Sequence, residues 1–435
     1  MNMIDTASDR RRGVEKALLV GIRPPEQDPA EAAEQLDELR ELVANLEIEV
    51  ADQMMVQLKA PLIEYYVGSG KAREIDEYRQ RLGADCLIFD TPLTPSQQRN
   101  WEKLTHCCVI DREEVILEIF AGRARTREAA LQVELARLQY TLPRLTRAWT
   151  HLSRQRGGVT GARGQGETQI ETDRRLLKRR ISALESELAE VRKQRTTGRK
   201  HRERTAIPHA AIVGYTNVGK SSLLRRLSGA DVLVADRVFA TLDPTTRRIR
   251  LPDRGEVLLT DTVGFVRKLP HSLVEAFKST LEEAVLADFL ILVLDLSSPQ
   301  LEAQWETTLA VLKELGADDK DVIVVFNKLD KIDQARETML LARTRMLFPD
   351  SVYLSTRTGA GLEELEKRLC ALAGKRRKLL KATLPPERSD LVALAHERGN
   401  ILECRYRDDG AAELTFTIHE TMRHLFDPYL TGGNR

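Results

Sequence analysis

The chain has 435 residues, 42% hydrophobic and 31% charged, and its 67 Lys and Arg against 66 Asp and Glu leave a net charge of +1. That length exceeds one hydrophobic core, so several domains are expected, and the composition excludes a mainly disordered chain. No apolar run reaches the ~18–20 residues a membrane span needs.

The longest apolar run, Phe289-Leu-Ile-Leu-Val-Leu294, lies between two aspartates and reads as a buried strand. Residues 1–20 carry no apolar signal core, and the carboxyl terminus carries no lipidation signal. Five cysteines without a C-x-x-C support neither a disulfide framework nor a zinc site. The expectation is a cytoplasmic protein without stable membrane insertion. The charge is unevenly spread. Residues 1–120 hold 14 basic and 24 acidic side chains (net −10), and residues 121–205 hold 21 and 9 (net +12). Residues 206–373 hold 21 and 24, and residues 374–435 hold 11 and 9. A strongly basic segment between acidic neighbours suggests a local nucleic-acid surface.

In chain order, residues 17–21 read as a strand, 29–45 as a helix, 70–82 as a helix, 86–89 as a strand, 95–104 as a helix and 107–110 as a strand. This alternation predicts an α/β domain over residues 1–120 with a largely parallel sheet. Val67-Gly-Ser-Gly-Lys71 lacks full phosphate-loop spacing and reads as a plain turn.

Residues 121–205 have a different texture. Leu131, Leu135, Leu138, Leu142, Leu145, Trp149 and Leu152 follow a 4-3 spacing, which Leu177, Ile181, Leu184, Leu188 and Val191 repeat. Two heptad seams predict an antiparallel helical hairpin, kinked at Pro143. Between the arms, residues 156–167 hold glycines at 157, 158, 161, 164 and 166. So many glycines predict a loop rather than a helix. Its bare backbone, with Arg156, Gly157, Gly158, Arg163 and Gly164, suits close approach to folded RNA.

The chemistry-bearing motifs fall in residues 206–373. A strand at 210–213 runs into Gly214-Tyr215-Thr216-Asn217-Val218-Gly219-Lys220-Ser221, followed by an apolar-faced helix. This is the complete phosphate-loop pattern in its strand–loop–helix context. Its backbone N–H groups cradle phosphates, Lys220 reaches the β and γ phosphates, and the Ser221 hydroxyl ligates Mg²⁺. Asp261-Thr262-Val263-Gly264 ends the next apolar strand, where the aspartate can hold Mg²⁺ through water and the Gly264 N–H can sense the γ-phosphate. Asn327-Lys328-Leu329-Asp330 follows another apolar strand. Asp330 can accept hydrogen bonds from guanine N1–H and its exocyclic amine, a pair that adenine cannot supply. Ser355, Thr356 and Arg357 are placed to back the base. Between the first two motifs lies Phe239-Ala240-Thr241-Leu242-Asp243, where a switch threonine should close on Mg²⁺, Thr241 being the first choice and Thr245 the second. Bound GTP or GDP with Mg²⁺ follows. Lys220, Thr241 and Gly264 are the candidate catalytic groups, and Ser221 and Thr241 the candidate metal ligands.

The glycine-rich run leading into Glu167-Thr-Gln-Ile-Glu-Thr-Asp-Arg-Arg175 resembles the signature of the HflX family of translational GTPases. Gln132-Val-Glu-Leu-Ala136, Phe239-Ala-Thr-Leu-Asp-Pro244 and Asp261-Thr-Val-Gly-Phe265 are similar to it as well. The resemblance covers nearly the whole chain. It implies an N-terminal α/β domain with a helical hairpin, a P-loop GTPase domain with a mixed sheet flanked by helices, and a small α+β C-terminal domain at 387–435. It also implies binding to the large ribosomal subunit and its rRNA, in splitting stalled ribosomes, recycling subunits or ribosome biogenesis, by a chain that is monomeric off the ribosome. Gln165 stands where the family often has proline, and Thr356 where alanine is frequent. Phe265 follows D-x-x-G where many GTPases carry a water-orienting glutamine, so intrinsic hydrolysis is expected to be slow, by roughly 10³- to 10⁵-fold. A regulatory switch for a protein or membrane-associated partner is the alternative reading. Residues 374–386, with Lys375-Arg-Arg-Lys378 and Pro385-Pro386, read as a basic linker, and 410–418 as a strand.

Overall fold

The computed structural model describes residues 14–145, 163–203, 207–229, 242, 244–253, 255–267, 283–332, 334–375 and 377–431. The described residues divide into two compact units, one through residue 190 and one from residue 191 onward.

The first unit begins with β1 (Lys16–Arg23), α1 (Pro29–Ala44), β2 (Glu49–Gln57), α2 (Ser69–Leu82), β3 (Cys86–Phe89), α3 (Pro95–Thr105), β4 (Cys108–Asp111) and α4 (Arg112–Arg123). The strands form a wholly parallel sheet in the order β2-β1-β3-β4. Local chemistry sets the elements. The Asp28 carboxylate caps α1 by accepting from Ala30 N, Pro29 opens the helix, and Leu36, Leu39, Leu42 and Val43 turn inward. Gly68 caps α2 in an extended conformation while Val67 enters the core, so the glycine-rich run there is a turn. Strand β2 and helix α4 have no counterpart among the elements read from the sequence. The first is an edge strand with Asp52 and Gln53 at its middle and mostly half-exposed side chains, so it shows little alternation.

The hairpin arms are α5 (Arg127–Thr141) and the 41-residue α6 (Arg163–Glu203). Glu134 accepts from Arg180 Nε at 2.8 Å and Nη2 at 3.0 Å, and Arg127 lies 3.6 Å from Glu187. A position seven residues earlier on one arm meets one seven residues later on the other, so the arms run antiparallel. Leu131, Leu135 and Leu138 on α5, and Leu177, Leu184 and Leu188 on α6, are buried along the two seams.

Two expectations are corrected here. The regular helix α5 ends at Thr141, with Leu142 as its cap, two residues before Pro143, and residues 146–152 of the expected arm, Trp149 and Leu152 included, lie outside the described residues. Of the glycine loop expected over 156–167, residues 163–167 are helical instead, because α6 takes in Gly164 and Gly166, while residues 156–162 lie outside the described residues. A glycine costs only about 1 kcal/mol relative to alanine in a helix. The packed seam further along outweighs two such penalties at the helix start.

The second unit contains a six-stranded sheet, with β5 (His209–Gly214), β6 (Thr245–Arg250), β7 (Glu256–Asp261), β8 (Phe289–Asp295), β9 (Asp321–Asn327) and β10 (Val352–Tyr353) in the order β10-β9-β8-β5-β7-β6. Among the described residues only the β6–β7 pairing of this sheet is antiparallel, which makes the sheet mixed. The helices α7 (Lys220–Ser228), α8 (Leu301–Glu314), α9 (Gln334–Leu347) and α10 (Leu362–Gly374) accompany it. A small α+β body follows, in which β11 (Arg377–Leu384), β12 (Asn400–Tyr406) and β13 (Ala412–His419) form an antiparallel sheet with β13 central, and α11 (Ser389–Arg398) covers one face. This corrects the expected linker at 374–386, most of which is strand β11. Its period-two pattern places Leu380, Ala382 and Leu384 in the core with Leu414 and Phe416, and the neighbouring basic residues made the segment look like a solvated tether.

Candidate nucleotide site

The site elements leave the carboxyl ends of parallel strands, where open α/β sheets present their ligand crevices. Strand β5 delivers the loop at 215–219, β7 delivers Asp261 and the three residues after it, and β8 delivers Asp295. Strand β9 delivers residues 327–330, and β10 leads into 354–357. The parallel registers of β5 with β7 and β8, and of β8 with β9, therefore bring together motifs up to 116 residues apart in the chain, from Gly214 to Asp330.

Gly219 caps α7 with φ 98°, and a Cβ there would fall 2.3 Å from Asn327 Nδ2. Only glycine fits both the left-handed backbone and the close approach. The first turn of α7 directs its N–H groups and positive dipole end toward the loop, an arrangement suited to an anion. Lys220 is buried, and its Nζ donates to Gly214 O at 3.1 Å and Tyr215 O at 2.6 Å. Burial pushes this ammonium down to about 8, while Asp261 acts in the opposite direction. The Ser221 hydroxyl donates to Asp261 Oδ2 at 2.6 Å. A hydroxyl beside a carboxylate at a helix start is a hard-oxygen set that fits Mg²⁺. Among the described residues no group of three or more His, Cys, Asp or Glu could hold a metal. A Mg²⁺ here would share its coordination with nucleotide phosphates, as this ion commonly does.

The segment after Asp261 lies directly against the loop. A Cβ on Gly264 would come within 2.8 Å of Lys220 Nζ and 2.7 Å of Thr216 Cγ2. Phe265 N donates to Gly214 O at 3.1 Å, and Thr216 N donates to Phe265 O at 2.8 Å. The Phe265 ring is 2% exposed, packed into the protein instead of standing in the position of a water-orienting group. Thr262 is buried with its hydroxyl on Ile212 O at 2.7 Å, and Val263 is buried beside it.

On the base side, Asn327 Nδ2 donates to Val218 O at 2.8 Å, and its Oδ1 accepts from Thr356 N at 3.1 Å. This one side chain braces the phosphate loop against the segment after β10. Asp330 accepts from the Ser355 hydroxyl at 2.6 Å through Oδ1, with Arg357 Nη1 3.7 Å from Oδ2. Leu329 N donates to Leu354 O at 3.3 Å. Lys328 adopts a left-handed backbone (φ 65°) and places its ammonium 2.7 Å from Asp295 Oδ2. Asp295 is not among the site residues expected from the sequence, although an acidic residue closing the apolar run of β8 is a visible signal.

The structure thus assembles residues 214–221, 261–264, 327–330 and 355–357. Leu242 is buried, and Thr245 opens β6 opposite Asp261. Phe239, Ala240, Thr241 and Asp243, as well as Arg156, Gly157 and Gly158, lie outside the described residues. Arg163 and Gly164 open helix α6. No helix among the described residues is long and apolar enough to cross a membrane.

Residues 33–121 match the family described as GTP-binding GTPase N-terminal, residues 123–202 the GTP-binding GTPase middle region, and residues 209–328 the 50S ribosome-binding GTPase family. The chain is 51% identical over 408 residues to the GTPase HflX of Akkermansia muciniphila, covering 91% of this chain and 93% of that protein. It is 42% identical over 406 residues to the GTPase HflX of Escherichia coli, covering 93% and 94%. Among solved structures, the crystal structure of a GTP-binding protein from Sulfolobus solfataricus in complex with GDP matches 83% of this chain and 99% of that one, at 27% identity and TM-score 0.44.

Proposed function

The chain belongs to the HflX family of GTPases, and from that premise we propose that it is a GTP-driven factor of the large ribosomal subunit, acting in ribosome splitting, recycling or biogenesis. The observation that carries the ribosomal part is the cationic face of α6. Arg174, Arg175, Lys178 and Arg179 are all exposed on a helix about 60 Å long that follows the glycine-rich segment in the chain. Such a face suits an RNA backbone and makes binding salt-dependent. The description of the family matched at 209–328 names a 50S ribosome-binding GTPase, which points the same way.

In this reading Asp330 takes the guanine N1–H and exocyclic amine, held in place by Ser355, and Asn327 keeps the base pocket in step with the phosphate loop. Lys220 exchanges its two carbonyl partners for the β and γ phosphates, and the Gly264 N–H meets the γ-phosphate. Ser221 and Thr241 would hold Mg²⁺, whose chemistry is to neutralise charge on the phosphate oxygens. Phe265 has no hydrogen bond to give a nucleophilic water, so free protein hydrolyses GTP slowly and the ribosome completes the site.

Co-sedimentation with large subunits in a non-hydrolysable GTP analogue tests the reading. The intact chain is expected to pellet with the subunits, and a chain lacking residues 157–166 to pellet far less. Equal sedimentation of the two, or none of either, sinks the proposal.

A further inference from the structure

We infer that the Tyr215 hydroxyl is a positioning group for GTP hydrolysis, fixing the backbone downstream of Gly264 to the phosphate loop. Tyr215 is the first residue after β5 and is 4% exposed. Its hydroxyl accepts a hydrogen bond from Arg267 N at 2.8 Å, across 52 residues of chain. Its backbone neighbours bond the same segment. Phe265 N donates to Gly214 O and Thr216 N donates to Phe265 O, so residues 214–216 and 265–267 form a three-bond clasp.

Two bonds of this clasp are backbone to backbone and need no particular side chain. The third depends on the phenol alone. Phosphate recognition by such a loop uses its N–H groups and Lys220, so it does not call for an aromatic hydroxyl at this position. A phenylalanine would fill the same buried volume without the cost of burying a hydroxyl, which is offset only by a bonded partner. The partner is the amide of the segment that carries Gly264 and Phe265. Because Phe265 is packed away and offers no polar group, placing the reacting water falls to backbone geometry in that segment. The clasp sets that geometry relative to Lys220 and Ser221. The inference rests on the reading that Gly264 faces the γ-phosphate.

The test is Tyr215→Phe in the full chain. The kcat for GTP should fall about tenfold, the scale of one buried hydrogen bond. The GDP Kd and the KM for GTP should stay within about twofold, which also reports that the variant is folded. Hydrogen–deuterium exchange of peptides spanning 263–267 should quicken in the same variant. Wild-type kcat in Tyr215→Phe overturns the inference, whether or not exchange quickens, and so does a loss of kcat that only parallels a loss of GDP affinity. Gly264→Ala is the reference, expected to lose hydrolysis. Wild-type kcat there overturns the underlying γ-phosphate reading instead.

Discussion

Two buried clusters of charge, one in each unit, have similar compositions and opposite organisation. In the first unit Asp111, at the end of β4, is 1% exposed, and the chain itself saturates it. It accepts from Leu93 N, Glu114 N, the Tyr140 hydroxyl and Arg144 Nη2 at 3.0–3.3 Å. Arg144 also donates to Gln98 Oε1, Leu93 O and Tyr140 O, and stacks over the Tyr140 ring. Burial pushes the Asp111 carboxyl up to about 6, and burial also raises Tyr140 well above its ordinary value. In the second unit the Lys220 ammonium rests on two loop carbonyls that phosphate oxygens can replace, beside a hydroxyl–carboxylate pair. A saturated cluster fixes structure, here the root of the basic hairpin arm on the sheet. A cluster whose partners are exchangeable awaits a ligand. Perturbed groups of both kinds look alike until their partners are counted.

Base recognition is where breaking the second cluster's surroundings should cost most. Asp330→Asn replaces the proposed acceptor of two guanine protons with an amide, and the preference for GTP over ATP should drop by roughly 10⁴-fold, the scale set by unmatched buried polar groups. Displacement of labelled GDP by each nucleotide measures it, and an unchanged preference would remove Asp330 from the base site. Next in size, Asp111→Ala should destabilise the first unit by about 3–5 kcal/mol, because it strands Arg144 without its carboxylate. A variant within 1 kcal/mol of wild type in urea unfolding would show the cluster to be dispensable. The smallest effect is in pH. With Lys220 pushed down to about 8 in the nucleotide-free chain, GDP binding above that pH must first take up a proton. Affinity should then weaken by up to about tenfold per pH unit between 8 and 10, with proton uptake visible by calorimetry in buffers of different ionisation enthalpy. Constant affinity across that range would contradict a Lys220 side chain that burial turns into the neutral amine above about pH 8.

The same contrast explains what the sequence disclosed. The placing of residues 214–221, 261–264 and 327–330 together was legible because their residue types and spacing signal the ends of strands that the apolar runs had already marked. Leucine periodicity likewise gave the paired arms α5 and α6. Asp111 and Arg144 gave no such signal, since their partners come from α3, α4, α5 and the loop before α3, and no local pattern announces a saturated cluster. Strand β11 was hidden because its inward Leu380, Ala382 and Leu384 alternate with Leu379, Lys381 and Thr383 on the open face of a three-stranded sheet, directly after the basic run at 375–378. The start of α6 is not legible locally, because glycine propensity is local whereas the packing that extends the helix lies three turns further on, at Leu177.

Thermal unfolding of Lys220→Ala and Asp111→Ala, each with and without saturating GDP, tests the distinction most directly. A ligand that binds only the folded chain raises its stability in proportion to the logarithm of ligand concentration over Kd. Lys220→Ala should melt no lower than wild type without nucleotide and lose most of the GDP-induced rise, while Asp111→Ala melts lower and keeps that rise in full. A GDP-induced rise retained in Lys220→Ala, or abolished in Asp111→Ala, would contradict it.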